Sequence, residues 1–259
     1  MSNISWMYKN HAETAQWVVD TLGHPYPIYG TANLADNNLQ SYFRGGTHYS
    51  SARFVMSFGS AIYVDTIIAI HNLNRLTGNN GTFTIFAGNS YPPSAYQSAL
   101  PVVSNYGTSV KYFNSPIAYR YFEFWASGTQ GIPDGFVRIN EVFIGKRITL
   151  SVNPEYPFRN ELIESNIINK SDNGNNLVYN KYERLKWDFN YPLLGISDHT
   201  SLQNIRNYCN GGFKPFFICI DKDYDPLETF FVRFTKNSWK DSEITSFYND
   251  ISFSIEEEK

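Results

Sequence analysis

Apolar and polar residues alternate along much of the first half of the chain. Phe54, Met56 and Phe58 fall on one side of FVMSF, and Ile62, Val64, Thr66, Ile68 and Ile70 continue the rhythm through IYVDTIIAI. Phe83, Ile85 and Ala87 share a face in FTIFA, which follows the turn-forming Asn79-Asn80-Gly81. Period two sends successive side chains to opposite faces, so each run predicts a strand with one buried face. YRYFEFW over 119–125 is apolar or aromatic on both faces, as expected of a strand inside a sandwich. VRINEVFIG over 137–145 alternates again. Short runs punctuated by Gly, Pro or Asn predict an antiparallel sandwich or barrel, so the first half is expected to be all-β.

The texture changes near residue 150. SVNPEYPF carries two prolines, and ESNIINKSDNGNNLVYN is rich in Asn around a turn expected at Asn173-Gly174. RLKWDF then places Leu185, Trp187 and Phe189 on one face. SDHTSLQNIRNYCNGG predicts a short helix, with Leu202, Ile205 and Cys209 at helical spacing, Asp198 or Thr200 as its cap and Gly211 as its end. Strands are expected over 215–220, 229–234 and 250–255. These elements predict two domains, 1–150 and 151–259. The opening segment is ambiguous: Ala15, Val18, Val19 and Leu22 suit a helix, but Pro25 and Pro27 favour an extended lead-in that pairs with the sheet.

Composition narrows the function classes. Of 259 residues, 17% are aromatic and only 17% are charged, the reverse of the balance that keeps a chain disordered. A formal charge of −3 and the lack of a sustained basic run exclude a nucleic-acid partner held mainly through its phosphates. The opening MSNISWMYKNHAETAQWVVD lacks the basic start and apolar run of a secretory leader, and no apolar segment has the roughly 18 residues of a membrane span. Cys209 and Cys219 are too few for a disulfide framework or a zinc site. They read as two buried thiols, with a bridge between them left open.

Chemistry-bearing motifs are missing: no Gly-rich phosphate loop, HExxH, GxSxG or CxxC occurs. The five histidines are scattered, and His71 after the strand IIAI reads as a solvated or singly hydrogen-bonded strand-end histidine rather than a ligand contact. Asp65, Glu123 and Glu141 are the carboxylates from which a glycosidase pair would be drawn, but their spacing gives no sign of one. No enzyme is expected. Tyr and Trp at loop tips stack on sugar rings or anchor protein interfaces. Core filling explains most Phe residues, and leaves the loop tyrosines Tyr91, Tyr96 and Tyr106 to account for.

ANLAD (32–36), LQSYFR (39–44), FGSAIYVDTIIAIHNLN (58–74) and RINEVFIGKRI (138–148) together resemble a discoidin-like (galactose-binding-like) jelly-roll domain over roughly residues 25–150. The resemblance implies sugar contacts on loops at one end of the barrel, after Arg44, after His71 and after Trp125, offering Arg44, His48, Asn72 and Arg75. It also places Asp36 and Glu141 where many relatives hold a structural calcium ion, although a metal-free loop held by hydrogen bonds satisfies the same residues. No other cofactor is implied. Residues 178–255, with Trp187, a short helix, and the strands around Phe216 and Val232, resemble domains of phage minor and distal tail proteins. The expected fold class is therefore mainly β, a discoidin-like jelly-roll sandwich followed by a smaller β-sandwich with one packed α-helix. The resemblance implies a structural virion protein of a phage tail or baseplate, assembled in the host cytoplasm and contacting other tail proteins and copies of itself. The alternative is a carbohydrate-binding module that attaches to a host surface glycan.

Overall fold

The computed structural model describes residues 3–19, 31–44, 51–71, 82–100, 102–103, 107–127, 137–156, 159–170, 176–223 and 225–258. Its early strands are β1 (Ser5–Met7), β2 (Gln16–Val19), β3 (Phe43–Arg44), β4 (Ser51–His71), β5 (Thr82–Gly88), β6 (Tyr96–Leu100), β7 (Val102–Val103), β8 (Thr108–Ser127), β9 (Arg138–Gly145) and β10 (Ile148–Thr149). Then come β11 (Arg159–Lys170), β12 (Asn176–Gly195), helix α1 (Ile196–Tyr208), β13 (Phe216–Asp221), β14 (Asp225–Phe234), β15 (Lys240–Thr245) and β16 (Tyr248–Glu257). The chain is mainly β, with one α-helix among the described residues.

Two compact units form, and each draws on distant parts of the sequence. The first comprises Lys9–Arg147 and Lys222–Thr229; the second comprises Met1–Tyr8, Ile148–Asp221 and Phe230–Lys259. Strand β1 lies between β10 and β13, which places the first eight residues with the second unit. In the other direction, Tyr112 Oη meets Thr229 Oγ1 at 2.8 Å and ties residues 222–229 to the first unit.

The first unit is one sheet bent into two layers, in the order β3-β9-β4-β8-β5-β6, with β2 added to β4 and β7 to β8. The alternating runs around Phe54 and Ile67 belong to a single 21-residue strand, β4. Its register against β8 shifts between Ser57 and Ile62 and again between Val64 and Thr66. Bulges of this kind bend a strand and increase its twist. Strand β9 pairs only with the last part of β4, Thr66–His71, while β3 pairs with β9. Yet Phe43 of β3 meets Phe54, in the first part of β4, with ring centroids 5.5 Å apart. The two halves of β4 therefore face each other across a core that includes Phe54, Phe83, Phe122, Phe124 and Ile144. The lead-in follows the extended reading: after one 3-10 turn (His11–Thr14), β2 pairs with β4.

The second unit is also a sheet curled on itself, in the order β10-β1-β13-β14-β16-β12-β11, with β15 on β16. Four strand spacings separate β1 from β12 along this path, or about 19 Å in a flat sheet. Trp6 of β1 and Phe189 of β12 nevertheless touch, at 5.8 Å between centroids. The same inner face carries Trp187, Phe216, Val232 and Phe253, and α1 closes it with Leu202, Ile205 and the following Cys209. Cys209 and Cys219 are buried and not joined by a disulfide.

Two local expectations need correction, and a third falls outside the described residues. The helix begins after Gly195 with no side-chain cap, because Thr200 Oγ1 donates to Ile196 O and Asp198 instead accepts from Ser151 N at 2.9 Å. The Asn-rich stretch forms a long ladder, β11 on β12, that closes at Lys170 opposite Asn176; Asn173-Gly174 lies outside the described residues, as do Asn79-Asn80-Gly81. Tyr96 is a strand residue rather than a loop residue, with its ring 5.5 Å from Phe113. Tyr91 is indeed exposed, and Tyr106 lies outside the described residues.

Candidate functional site

The strand ends that flank the expected sugar loops converge at one end of the first unit. Ser51 stands opposite Ser127, which also stands opposite Thr82. Phe43 and His71 both pair with Ile139, and Arg44 pairs with Arg138. The His71 N–H donates to Gly107 O at 2.6 Å. Gly107 has φ +67°, and a Cβ there would lie 1.9 Å from His71 O, so only glycine fits this crossing. The chain thus leaves the sandwich after Arg44, after His71 and after Ser127 at the same end. Of the residues proposed to touch sugar, Arg44 joins this frame through its backbone. His48, Asn72 and Arg75 lie outside the described residues.

His71 itself belongs to the frame. Its ring is buried, stacks on Phe83 at 5.4 Å and meets Ser109 Oγ through Nε2 at 2.8 Å. Burial disfavours the charged imidazolium and pushes its pKa down to about 3, against a weaker upward pull from a backbone hydrogen bond. The ring is therefore neutral at physiological pH, and it is hydrogen-bonded and buried rather than solvated.

The residue that faces outward here is Trp125, two positions before β8 ends and 43% exposed. Its direct cross-strand neighbours are Arg53 and Thr84. Arg53 Nε pairs with Glu123 Oε1, and that carboxylate is 3% exposed. An exposed indole beside a fixed guanidinium offers a flat apolar face and polar donors side by side. The sequence reading placed Trp125 inside a strand apolar on both faces. The charged pair Arg53 and Glu123, each at the outward phase of its strand, was the signal for the correct face.

The opening loop is a hydrogen-bonded clamp. Asn10 Nδ2 donates to Val142 O at 2.8 Å and to Glu141 Oε1 at 3.4 Å, while its Oδ1 accepts from Ala12 N and Ile144 N, both at 3.0 Å. Glu141 Oε2 accepts from Asn37 N at 3.1 Å. Asp36 turns back on its own loop, accepting from Asn38 N at 3.0 Å and Ser41 Oγ at 2.6 Å. Asn140 Nδ2 donates to Leu39 O at 2.9 Å, and Asn33 Nδ2 to Tyr42 O at 3.0 Å. Donor hydrogens thus address all four carboxylate oxygens of Asp36 and Glu141. Calcium takes six to eight oxygen ligands, and the two carboxylates as placed suit hydrogen bonding rather than a shared cation. Among the described residues no group of three or more His, Cys, Asp or Glu side chains is placed to hold a metal ion.

The carboxylates considered for catalysis are each engaged structurally. Asp65 accepts from Arg147 N at 2.8 Å, Glu123 holds Arg53, and Glu141 belongs to the clamp.

No family model matches the chain, and no curated protein matches it. Among solved structures, a CBM32 module of a family 31 glycoside hydrolase from Clostridium perfringens is 18% identical, with 54% of this chain and 99% of that chain covered and a TM-score of 0.39. Chitosan-binding module 1 from a Paenibacillus chitosanase/glucanase is 9% identical over 54% and 100% of the two chains, with a TM-score of 0.41. A GH29 fucosidase from Ruminococcus gnavus is 16% identical over 54% of this chain and only 27% of its own, with a TM-score of 0.41. Two of these three are carbohydrate-binding modules, and the third is a glycosidase.

Proposed function

We propose that the chain is a non-catalytic carbohydrate-binding protein whose ligand lies at the converging end of the first unit. Exposed Trp125 beside the Arg53–Glu123 pair carries this reading. A pyranose ring presents an apolar C–H face that stacks on an indole, while its hydroxyls take hydrogen bonds from neighbouring polar groups. Glu123 is too buried to touch a ligand and acts by positioning Arg53. Arg44, His48, Asn72 and Arg75 are the proposed hydroxyl partners. The test is binding to an array of neutral oligosaccharides. Trp125→Ala is expected to weaken binding at least tenfold while leaving the melting temperature unchanged. Equal binding by that variant would reject the site.

A second reading, a structural subunit of a virion tail or baseplate, is favoured by an apolar cluster on the second unit. Leu193 and Ile196 flank the end of β12, where Gly195 pairs with Tyr248. Ile244 and Phe247 belong to the adjoining β15–β16 hairpin, and all five large side chains are exposed. Leu193 also has φ +52°, an uncommon conformation for a branched residue. Large exposed apolar patches mark association surfaces. This reading expects concentration-dependent self-association in sedimentation, abolished by Phe247→Asp; a monomer at every concentration would set it aside.

A further inference from the structure

The second unit carries a cleft of about 590 Å³, within the size range of small-ligand sites and formed by its own residues. Sheet register builds its charged floor. Arg233 of β14 stands directly opposite Glu256 of β16. Arg233 Nε also pairs with Glu258 Oε1 at 2.6 Å, its Nη1 donates to Phe213 O at 3.1 Å, and Glu256 Oε1 accepts from Thr235 Oγ1 at 3.2 Å. Arg233 thus pairs with Glu258 while Glu256 accepts from a neutral hydroxyl, one cation against two carboxylates. Arg184 and Lys236 add two further cations to the lining, which leaves an excess of positive charge. Lys236 is exposed and makes no ion pair among the described residues.

The rim and wall add shape. Phe213 is 80% exposed at the edge of the cleft, a ring left in water next to charged groups. Gly212 beside it has φ +116°, and a Cβ there would lie 2.6 Å from Phe234 O. A side chain is excluded, so the wall at that point is bare backbone.

A flat apolar ring, an available ammonium and carboxylates able to accept from hydroxyls match one chemical class. We propose that this cleft binds an acidic saccharide, its ring against Phe213 and its carboxylate on Lys236 with Arg184 nearby. The site is separate from the one around Trp125 and does not depend on it.

The test is calorimetric titration of the full chain with tetrasaccharides of galacturonic and glucuronic acid, alongside their methyl esters, which keep the shape and lose the charge. Saturable binding of an acid at least tenfold tighter than its ester is expected, falling as salt rises. Phe213→Ala and Lys236→Met are each expected to weaken it at least fivefold, with an unchanged melting curve because both side chains are exposed. No saturable binding, equal binding of acid and ester, or indifference to both variants would overturn the proposal. Loss of acid binding in Trp125→Ala but not in these variants would also overturn it, while upholding the site in the first unit.

Discussion

Replacing Trp6 by alanine is expected to destabilise the second unit by about 3–5 kcal/mol, the usual cost of deleting a buried aromatic side chain. Trp6 is fully buried and packs against Phe189, Phe216 and Phe253 at 5.8–6.0 Å. Those three rings come from β12, β13 and β16, so the indole joins both ends of the curled sheet. The residues around it are integral in the same way: Ile4 and Tyr8 share the core, and Asn3 Nδ2 donates to Leu150 O at 2.6 Å. A fragment beginning at residue 148 lacks β1 and exposes the edge of β13, and it is expected to stay unfolded. Denaturant titration followed by near-UV circular dichroism checks both. A cooperative transition for the fragment, or a Trp6→Ala loss under 1 kcal/mol, would show that β1 is an ornament on a complete domain.

In the first unit, Asn10→Ala is expected to cost about 3 kcal/mol, because each buried polar group stripped of its partner costs about 1–3 kcal/mol. The change strands Val142 O, Ala12 N and Ile144 N together and removes the donor to Glu141. Asn10→Asp is expected to do no better. A carboxylate can accept from Ala12 and Ile144, but it cannot donate to Val142 O and places negative charge beside Glu141. If hydrogen bonds alone hold this clamp, removing divalent ions with a chelator leaves the melting temperature unchanged. A clear fall on chelation, with metal found in the purified protein, would assign Asp36 and Glu141 to an ion instead.

Period two made β4, β5 and β9 legible as strands, while the run over 119–125 of β8 was legible as a strand apolar on both faces. It did not reveal that the runs around Phe54 and Ile67 form one bent strand, since a bulge leaves the alternation intact on either side. Strand β1 was illegible for a different reason. Its three residues, Ser5, Trp6 and Met7, are all buried, so no alternation marks them, and their partners lie more than 140 residues away in sequence. The clamp was legible as a neighbourhood: Glu141 does meet the loop that Asp36 opens, but through Asn37 N rather than through Asp36 itself. Asn10, its hub, has one local partner, Ala12 N, but its other partners, Glu141 Oε1, Val142 O and Ile144 N, lie on β9 more than 130 residues away, where no local pattern announces them. Trp125 was hidden among Phe122 and Phe124, and the charged pair Arg53 and Glu123 tells which way it points.

Nitrogen–proton correlation spectra of the full chain, recorded while a bound neutral oligosaccharide is titrated in, test the central claim most directly. The five tryptophans give five indole N–H signals, of which Trp6 and Trp187 are buried in the second unit. The expected result is a saturable shift of the Trp125 signal, assigned by its loss in Trp125→Ala, with the Trp6 and Trp187 signals unmoved. Saturation with the Trp125 signal unchanged would contradict a carbohydrate site at this end of the first unit.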